Sequence, residues 1–170
     1  MVLMTALSRC ADGPGDQRHL LRTGVMELER RLRDAVRAAW SPGSTWAEQV
    51  FESDASAVED AVSELVGGRP VMLFIADLVE GRFLWINDTV SDVLGTPVRE
   101  LLESSFLDRV HPDDLPRTML EMGRLAAGEP TMDFSNRHRH ADGTYRVFQW
   151  AATADADGEL CFALAVEDEE

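Results

Sequence analysis

Residues 131–166 read TMDFSNRHRHADGTYRVFQWAATADADGELCFALAV. Two aspartate-glycine pairs, Asp142-Gly143 and Asp157-Gly158, cut this stretch into three extended runs: Thr131 to His140, Thr144 to Ala154 and Glu159 to Val166. Aspartate followed by glycine readily takes the left-handed turn conformations that tight hairpins need, so the three runs form an antiparallel meander. In the last run Leu160, Phe162, Leu164 and Val166 fall on one face, and Cys161, Ala163 and Ala165 on the other. A sheet with one wet face would alternate apolar with polar residues. Both faces of this sheet therefore need a cover.

Upstream, His111-Pro112-Asp113-Asp114 sets proline at a first helical position and two carboxylates at the positive end of the helix dipole, which predicts a helix from there to Ala127, closed by Gly128. A brief turn is expected at Val98 to Leu102. Asn87 or Asp88 is placed to cap a short helix running to Leu94, with Gly95 as its stop. Before it, Val71 to Ala76 and Phe83 to Ile86 are short apolar runs joined through Gly81, the pattern of a hairpin. The order is strand, strand, helices, strand, strand, strand.

The rest of the chain divides at glycine and proline. Residues 1–17 carry Gly13-Pro14-Gly15 and no hydrophobic period, and are expected to be a flexible leader. Residues 18–68 form an N-terminal helical region, and 69–170 the strand-rich domain. Leu21, Val25, Leu28, Leu32, Ala35 and Ala39 lie along one stripe of an amphipathic helix, stopped at Ser41-Pro42-Gly43. That stripe suits either a coiled-coil seam with a second copy or packing on its own domain. Thr45 with Glu48 opens a second helical stretch with Trp46, Val50, Val58, Val62 and Leu65 on its apolar side, ended by Gly67-Gly68.

Thirty-one acidic against sixteen basic residues give a formal charge of −15, which opposes both a phosphate backbone and an anionic membrane surface. No nucleic-acid or membrane partner is expected. Cys10 and Cys161 form no CxxC, and no apolar run reaches the ~18 residues of a membrane span, so a reducing, cytoplasmic location is expected.

Trp85-Ile86-Asn87, Leu94-Gly95, Val110-His111-Pro112-Asp113-Asp114, the run Arg137-His138-Arg139-His140-Ala141-Asp142-Gly143-Thr144-Tyr145-Arg146, and Asp157-Gly158 stand in one order. In that order and spacing, between Val71 and Glu167, the chain resembles the PAS superfamily, in the variety common in bacterial and archaeal signalling proteins. The resemblance implies an α+β PAS fold: a five-stranded antiparallel sheet in the order 2-1-5-4-3, short helices on one face, a pocket between the two, and an N-terminal amphipathic helix. It also implies a homodimer through flanking helices, and a signal passed to a kinase, cyclase or transcription module. The chain ends near where the family's output linker begins, so no such module is expected within it.

No catalytic constellation stands out, and the chain is expected not to be an enzyme. Asp113 and Asp114 have a sufficient explanation in helix capping, and His111 in positioning the turn. A cysteinyl-flavin adduct needs a cysteine in the helices over the flavin, whereas Cys161 lies on a strand; haem of the common kind needs a histidine in the long helix, and Leu115 to Ala127 has none. Neither cofactor is expected, and none is named. By strand alternation Met132, Phe134, Asn136 and His138 share a face, where the family usually carries apolar residues. With Trp85 they form the candidate pocket. An unpaired buried amide or imidazole costs roughly 1–3 kcal/mol, so each needs a partner, which a polar ligand or neighbouring side chains would supply. Trp85 and Trp150 suit ring stacking on a ligand or core packing. The expected function is a sensory module that binds a small molecule or partner and signals through dimerisation. The alternative is a ligand-free dimerisation or docking module of a larger signalling protein, such as a histidine kinase or transcription regulator.

Overall fold

A computed structural model describes residues 67–168, apart from the side chains of Met132 and Asp133, together with Ser56, Ala57, Glu59, Asp60 and residues 62–64 before them. The leader, the stripe from Leu21 to Ala39 and the start at Thr45 lie outside the described residues. Ser56, Ala57, Glu59, Asp60 and 62–64 are helical, and the stretch stops where predicted, at Gly67 and Gly68.

Five strands follow: β1 Val71–Asp77, β2 Arg82–Ile86, β3 Thr131–Arg139, β4 Tyr145–Ala154 and β5 Leu160–Glu167. They form one antiparallel sheet in the order β2-β1-β5-β4-β3. Between β2 and β3 come α1 Asp88–Leu94, α2 Val98–Glu103, two 3-10 turns at Phe106–Arg109 and Pro112–Asp114, and α3 Leu115–Ala126. The predicted brief turn at Val98 to Leu102 is a full helical element. The predicted long helix starts as a 3-10 turn whose N-cap is the His111 ring, with Nδ1 accepting from the Asp113 N–H at 3.2 Å.

Asn87 does not cap α1 with its side chain. Its Oδ1 accepts from the Leu73 N–H at 2.9 Å, and its Nδ2 donates to the Val71 carbonyl at 3.0 Å. The amide is buried and carries both a donor and an acceptor, so it continues the β1 ladder past the point where β2 has turned into helix. Gly95 ends α1 in the left-handed region, φ 65°, and a Cβ there would stand 2.7 Å from Nε2 of His140.

Asp114 corrects a second expectation, because its carboxylate makes no cap bond. It receives three bonds from Arg137 on β3, each 2.9 Å: Nε–H and the main-chain N–H to Oδ2, and Nη2–H to Oδ1. Arg117 adds an ion pair at 3.4 Å. The Asp114 carboxylate is buried, while Arg137 is partly open to solvent. This pairing ties the entry of α3 to the C-terminal part of β3. At the other end of α3, Gly158 in the β4–β5 turn approaches so closely that an added Cβ would lie 2.2 Å from the Ala126 carbonyl.

The helices pack on a core of Met72, Phe74, Ala76, Phe83, Ile86, Leu101, Phe148, Ala163 and their neighbours. The opposite face, with Val71, Leu73, Ile75, Phe162, Leu164 and Val166, is buried as well. The requirement that both faces be covered thus holds.

Replacing Asp114 with Asn leaves the Arg137 guanidinium without its anion. Removing one partner of a fully buried pair costs 3–5 kcal/mol; because Arg137 keeps access to water, a loss of about 2 kcal/mol is expected here. Bonds from Arg137 hold the Asp114 carboxyl well below the usual carboxylate range. Its stabilising contribution is therefore present above the unfolded value of 3.8 and lost as pH falls below it. Urea midpoints at pH 7 and pH 3 check both statements: the Asp114→Asn deficit should be large at pH 7 and shrink at pH 3.

Candidate functional site

Between sheet and helices lies a cavity of about 80 Å³ with an apolar surface. Phe74 and Ala76 of β1, Cys161 and Ala163 of β5, and Trp150 and Ala152 of β4 form its floor. Thr118, Glu121, Met122 and Leu125 of α3 roof it, and Phe83, Phe106 and Val110 line it as well. Thr131, Phe134, Asn136 and His138 of β3 form a wall. The 3-10 turn at Phe106 is pinned to the β1–β2 turn by Ser105, whose Oγ donates to the Gly81 carbonyl at 2.8 Å.

Phe134, Asn136 and His138 come together on the cavity side, as alternation from Phe134 to His138 requires. Met132 has its side chain outside the described residues, and a register shift between Thr131 and Phe134 interrupts the period of two that linked it to Phe134. Thr131, three residues from Phe134, faces the cavity instead. Trp85 is corrected outright. The register runs Phe74 to Ile86, Ile75 to Trp85, then Ala76 to Phe83, so one extra residue, Leu84, sits on β2. That bulge keeps Phe83 and Ile86 in the helix-side core and puts Trp85 with Ile75 on the opposite face. Trp150, read as core or stacking, lines the cavity.

The polar groups of the wall differ in one respect. Asn136 Nδ2 donates to Thr118 Oγ at 3.1 Å, Thr118 Oγ–H donates to the Asp114 carbonyl at 2.8 Å, and Trp150 Nε1–H donates to Asn136 Oδ1 at 2.6 Å. Thr131 Oγ–H donates to Glu121 Oε1 at 2.8 Å, and Glu121 Oε2 pairs with Arg124. His138 is 5% exposed, and its ring nitrogens have no hydrogen-bond partner among the described residues, but the one buried side-chain atom left without a partner there is Nε of Arg109. Its ring packs against those of Trp150 and Phe148, at 5.1 and 5.9 Å. Burial, then the nearby charge of Arg109, pushes its pKa down to about 4, with Asp114 acting weakly the other way. At neutral pH it is an uncharged imidazole with one donor and one acceptor. Arg109 itself lies outside the cavity lining, holding Thr96 and Glu100.

Alternation along β3 made Asn136 and His138 candidates; the α3 residues went unread, although Thr118 follows Asp114 by one helical turn and so shares its face. Cys161 does lie in the floor, but burial pushes its thiol up to about 12, which leaves it a poor nucleophile.

The unfolded chain accepts a proton on this histidine near pH 6.5, whereas the folded protein resists it down to about 4. Stability from neutral His138 is thus complete above pH 6.5 and is lost between there and pH 4, by about 3 kcal/mol at most. His138→Phe should flatten this limb relative to the wild type in denaturant midpoints measured from pH 7.5 to 4.5. Parallel curves would contradict the assignment.

Residues 83–166 match the family model described as PAS fold. Neuronal PAS domain-containing protein 1 of Mus musculus is 44% identical over 54 residues, covering 31% of this chain but only 9% of that protein. Among solved structures, a domain of a sensory box sensor histidine kinase/response regulator from Geobacter sulfurreducens superposes with a TM-score of 0.52 at 21% identity, over 69% of this chain and 96% of that one. A domain of a histidine kinase described as light and redox sensing, from Haloarcula marismortui, gives 0.50 at 24% identity, over 65% and 100%. Both share the fold seen here. PAS domains are in general sensory signal-transduction modules of histidine kinases and similar proteins, and are typically non-catalytic. On the family match and the shared sheet and helices, the chain belongs to the PAS superfamily.

Proposed function

We infer that this PAS domain is a sensory module that binds a small molecule in the cavity between α3 and the sheet. The single observation that carries the reading is a preformed apolar cavity between α3 and the sheet, lined by Phe74, Phe134, Trp150 and Ala163 among others. A concave, largely apolar space of this kind between sheet and helices is where a small molecule is bound. The signal would leave by the flanking helices. Arg69, just ahead of β1, donates from Nη1 to the Glu167 carbonyl at the end of β5, so the chain entering the sheet is tied to the strand that leaves it.

Ala163 in the cavity floor offers a test. Ala163→Leu fills the space at a packing cost of about 1–3 kcal/mol and should abolish binding while the circular dichroism spectrum is kept. A ligand at about a hundred times its dissociation constant adds about 2.7 kcal/mol to wild-type stability, and should add nothing to the variant. Native mass spectrometry of freshly purified protein supplies the first ligand to try. Equal binding by the filled variant would exclude the cavity as the site and favour a ligand-free docking module.

The same reading makes the protein a homodimer through the stripe Leu21, Val25, Leu28, Leu32, Ala35 and Ala39. Light scattering at micromolar concentration should give the dimer mass, and Leu28→Asp with Leu32→Asp should give the monomer. A monomeric wild type would remove this part of the reading.

A further inference from the structure

We propose that the cavity is a water-excluding receptor for an apolar solute of about three heavy atoms, a dissolved gas or a short hydrocarbon without hydroxyl or charge. The proposal rests on the cavity being a binding site, and names the class of molecule that it takes.

The chemistry of the space follows from where the polar atoms of its lining are spent. Asn136 is engaged by Thr118 and Trp150, Thr118 by the Asp114 carbonyl, and Thr131 by Glu121, which also holds Arg124. His138 packs its ring on those of Trp150 and Phe148. The surface that faces the cavity is left apolar throughout. Water entering such a space gives up its hydrogen bonds and finds none in return, so apolar cavities stay dry and take apolar guests. A hydroxyl would lose its partners in the same way, and an ion far more.

The size of the guest follows from the volume. An apolar cavity of roughly 150 Å³ takes benzene, about 25 Å³ for each carbon, so about 80 Å³ admits about three heavy atoms. That volume has an origin in the strands. In the floor Ala76 of β1 stands opposite Cys161 of β5, and Ala163 of β5 opposite Ala152 of β4, so small side chains meet small side chains across neighbouring strands. Alanine is depleted in strands, where valine and isoleucine pack better, and a free cysteine behaves as a small apolar group. The same strands carry Phe74, Phe148 and Trp150 beside these positions. The roof does not settle onto the low floor, because α3 is held to β3 through Thr118 with Asn136 and Glu121 with Thr131. Choices that oppose local strand preference gather where a fold keeps something for use.

Propane and ethanol are nearly isosteric and differ in one methyl against one hydroxyl, benzene tests the size limit, and xenon probes apolar space without regard to shape. The full chain is equilibrated with each in turn while the methyl resonances of Met122, Leu125 and Ala163 are followed. Xenon and propane should shift them saturably, propane should bind at least about tenfold more tightly than ethanol, and benzene should produce no saturable change. Ala152→Val and Ala76→Val each fill the floor, a kind of change that commonly stabilises, and each should weaken propane at least about tenfold. The comparison of probes on the wild type decides the proposal even where one variant fails to fold. Ethanol binding as tightly as propane, or saturable binding of benzene, would overturn the proposal while leaving the cavity a binding site. Undiminished propane binding by a folded variant would place the apolar site elsewhere and overturn it as well. Absence of saturable shifts with xenon and propane would overturn the proposal alone if Ala163→Leu still removes a ligand found by native mass spectrometry, and together with the cavity reading if it does not.

Discussion

The carboxylate of Asp114 is the point from which the helical side of the molecule is hung. α3 has an apolar face that would pack on the sheet at several positions, since hydrophobic contact is not directional. Three bonds from Arg137, two from the guanidinium and one from the main chain, admit a single position. Thr118, one turn along, then stands over Asn136, and Glu121 over Thr131. The cavity exists because these polar contacts hold the roof at a height that the surrounding side chains leave unfilled.

Closure of the polar network around that space gives the site its character. Thr131 is answered by Glu121 of α3, and Asn136 by Thr118 of α3 and Trp150 of β4. One residue beyond the ion pair, His138 is unanswered. Its neutrality follows from the same crowding, with Trp150 and Phe148 against its ring and the positive charge of Arg109 nearby.

Much of this architecture is legible in the sequence where the signal is local. The aspartate-glycine turns, the period of two in β5 and the glycine after Leu94 each act within a few residues, and each reads correctly. What escaped depends on partners distant in the chain. Asn87 looks like a helix cap because asparagine before a helix usually is one, yet its amide serves a ladder fourteen and sixteen residues back. Asp114 looks like a dipole-complementing acid for the same reason, and its partner is twenty-three residues away. Trp85, read as a candidate for the pocket, is carried to the opposite face by the single extra residue at Leu84. Asn136 and His138 were found because a polar residue on a buried strand face is informative without knowledge of its partner; which of the two had a partner depended on Thr118 and Trp150.

Strand β3 carries both ends of the device in consecutive residues. Arg137 points to Asp114 and fixes α3, while Asn136 and His138 on either side of it line the cavity. The outer edge of the strand is held as well, since the His111 N–H donates to the Arg137 carbonyl at 2.8 Å and Val110 bridges to His138. A displacement of β3 at Arg137 must be followed by α3 or break bonds at a buried carboxylate. Bending at that point is resisted more strongly than sliding of strand and helix together, because the former exposes an unpaired charge and the latter only rearranges apolar contacts. A load on β3 at this point is thus carried to a whole helix rather than absorbed by local relaxation.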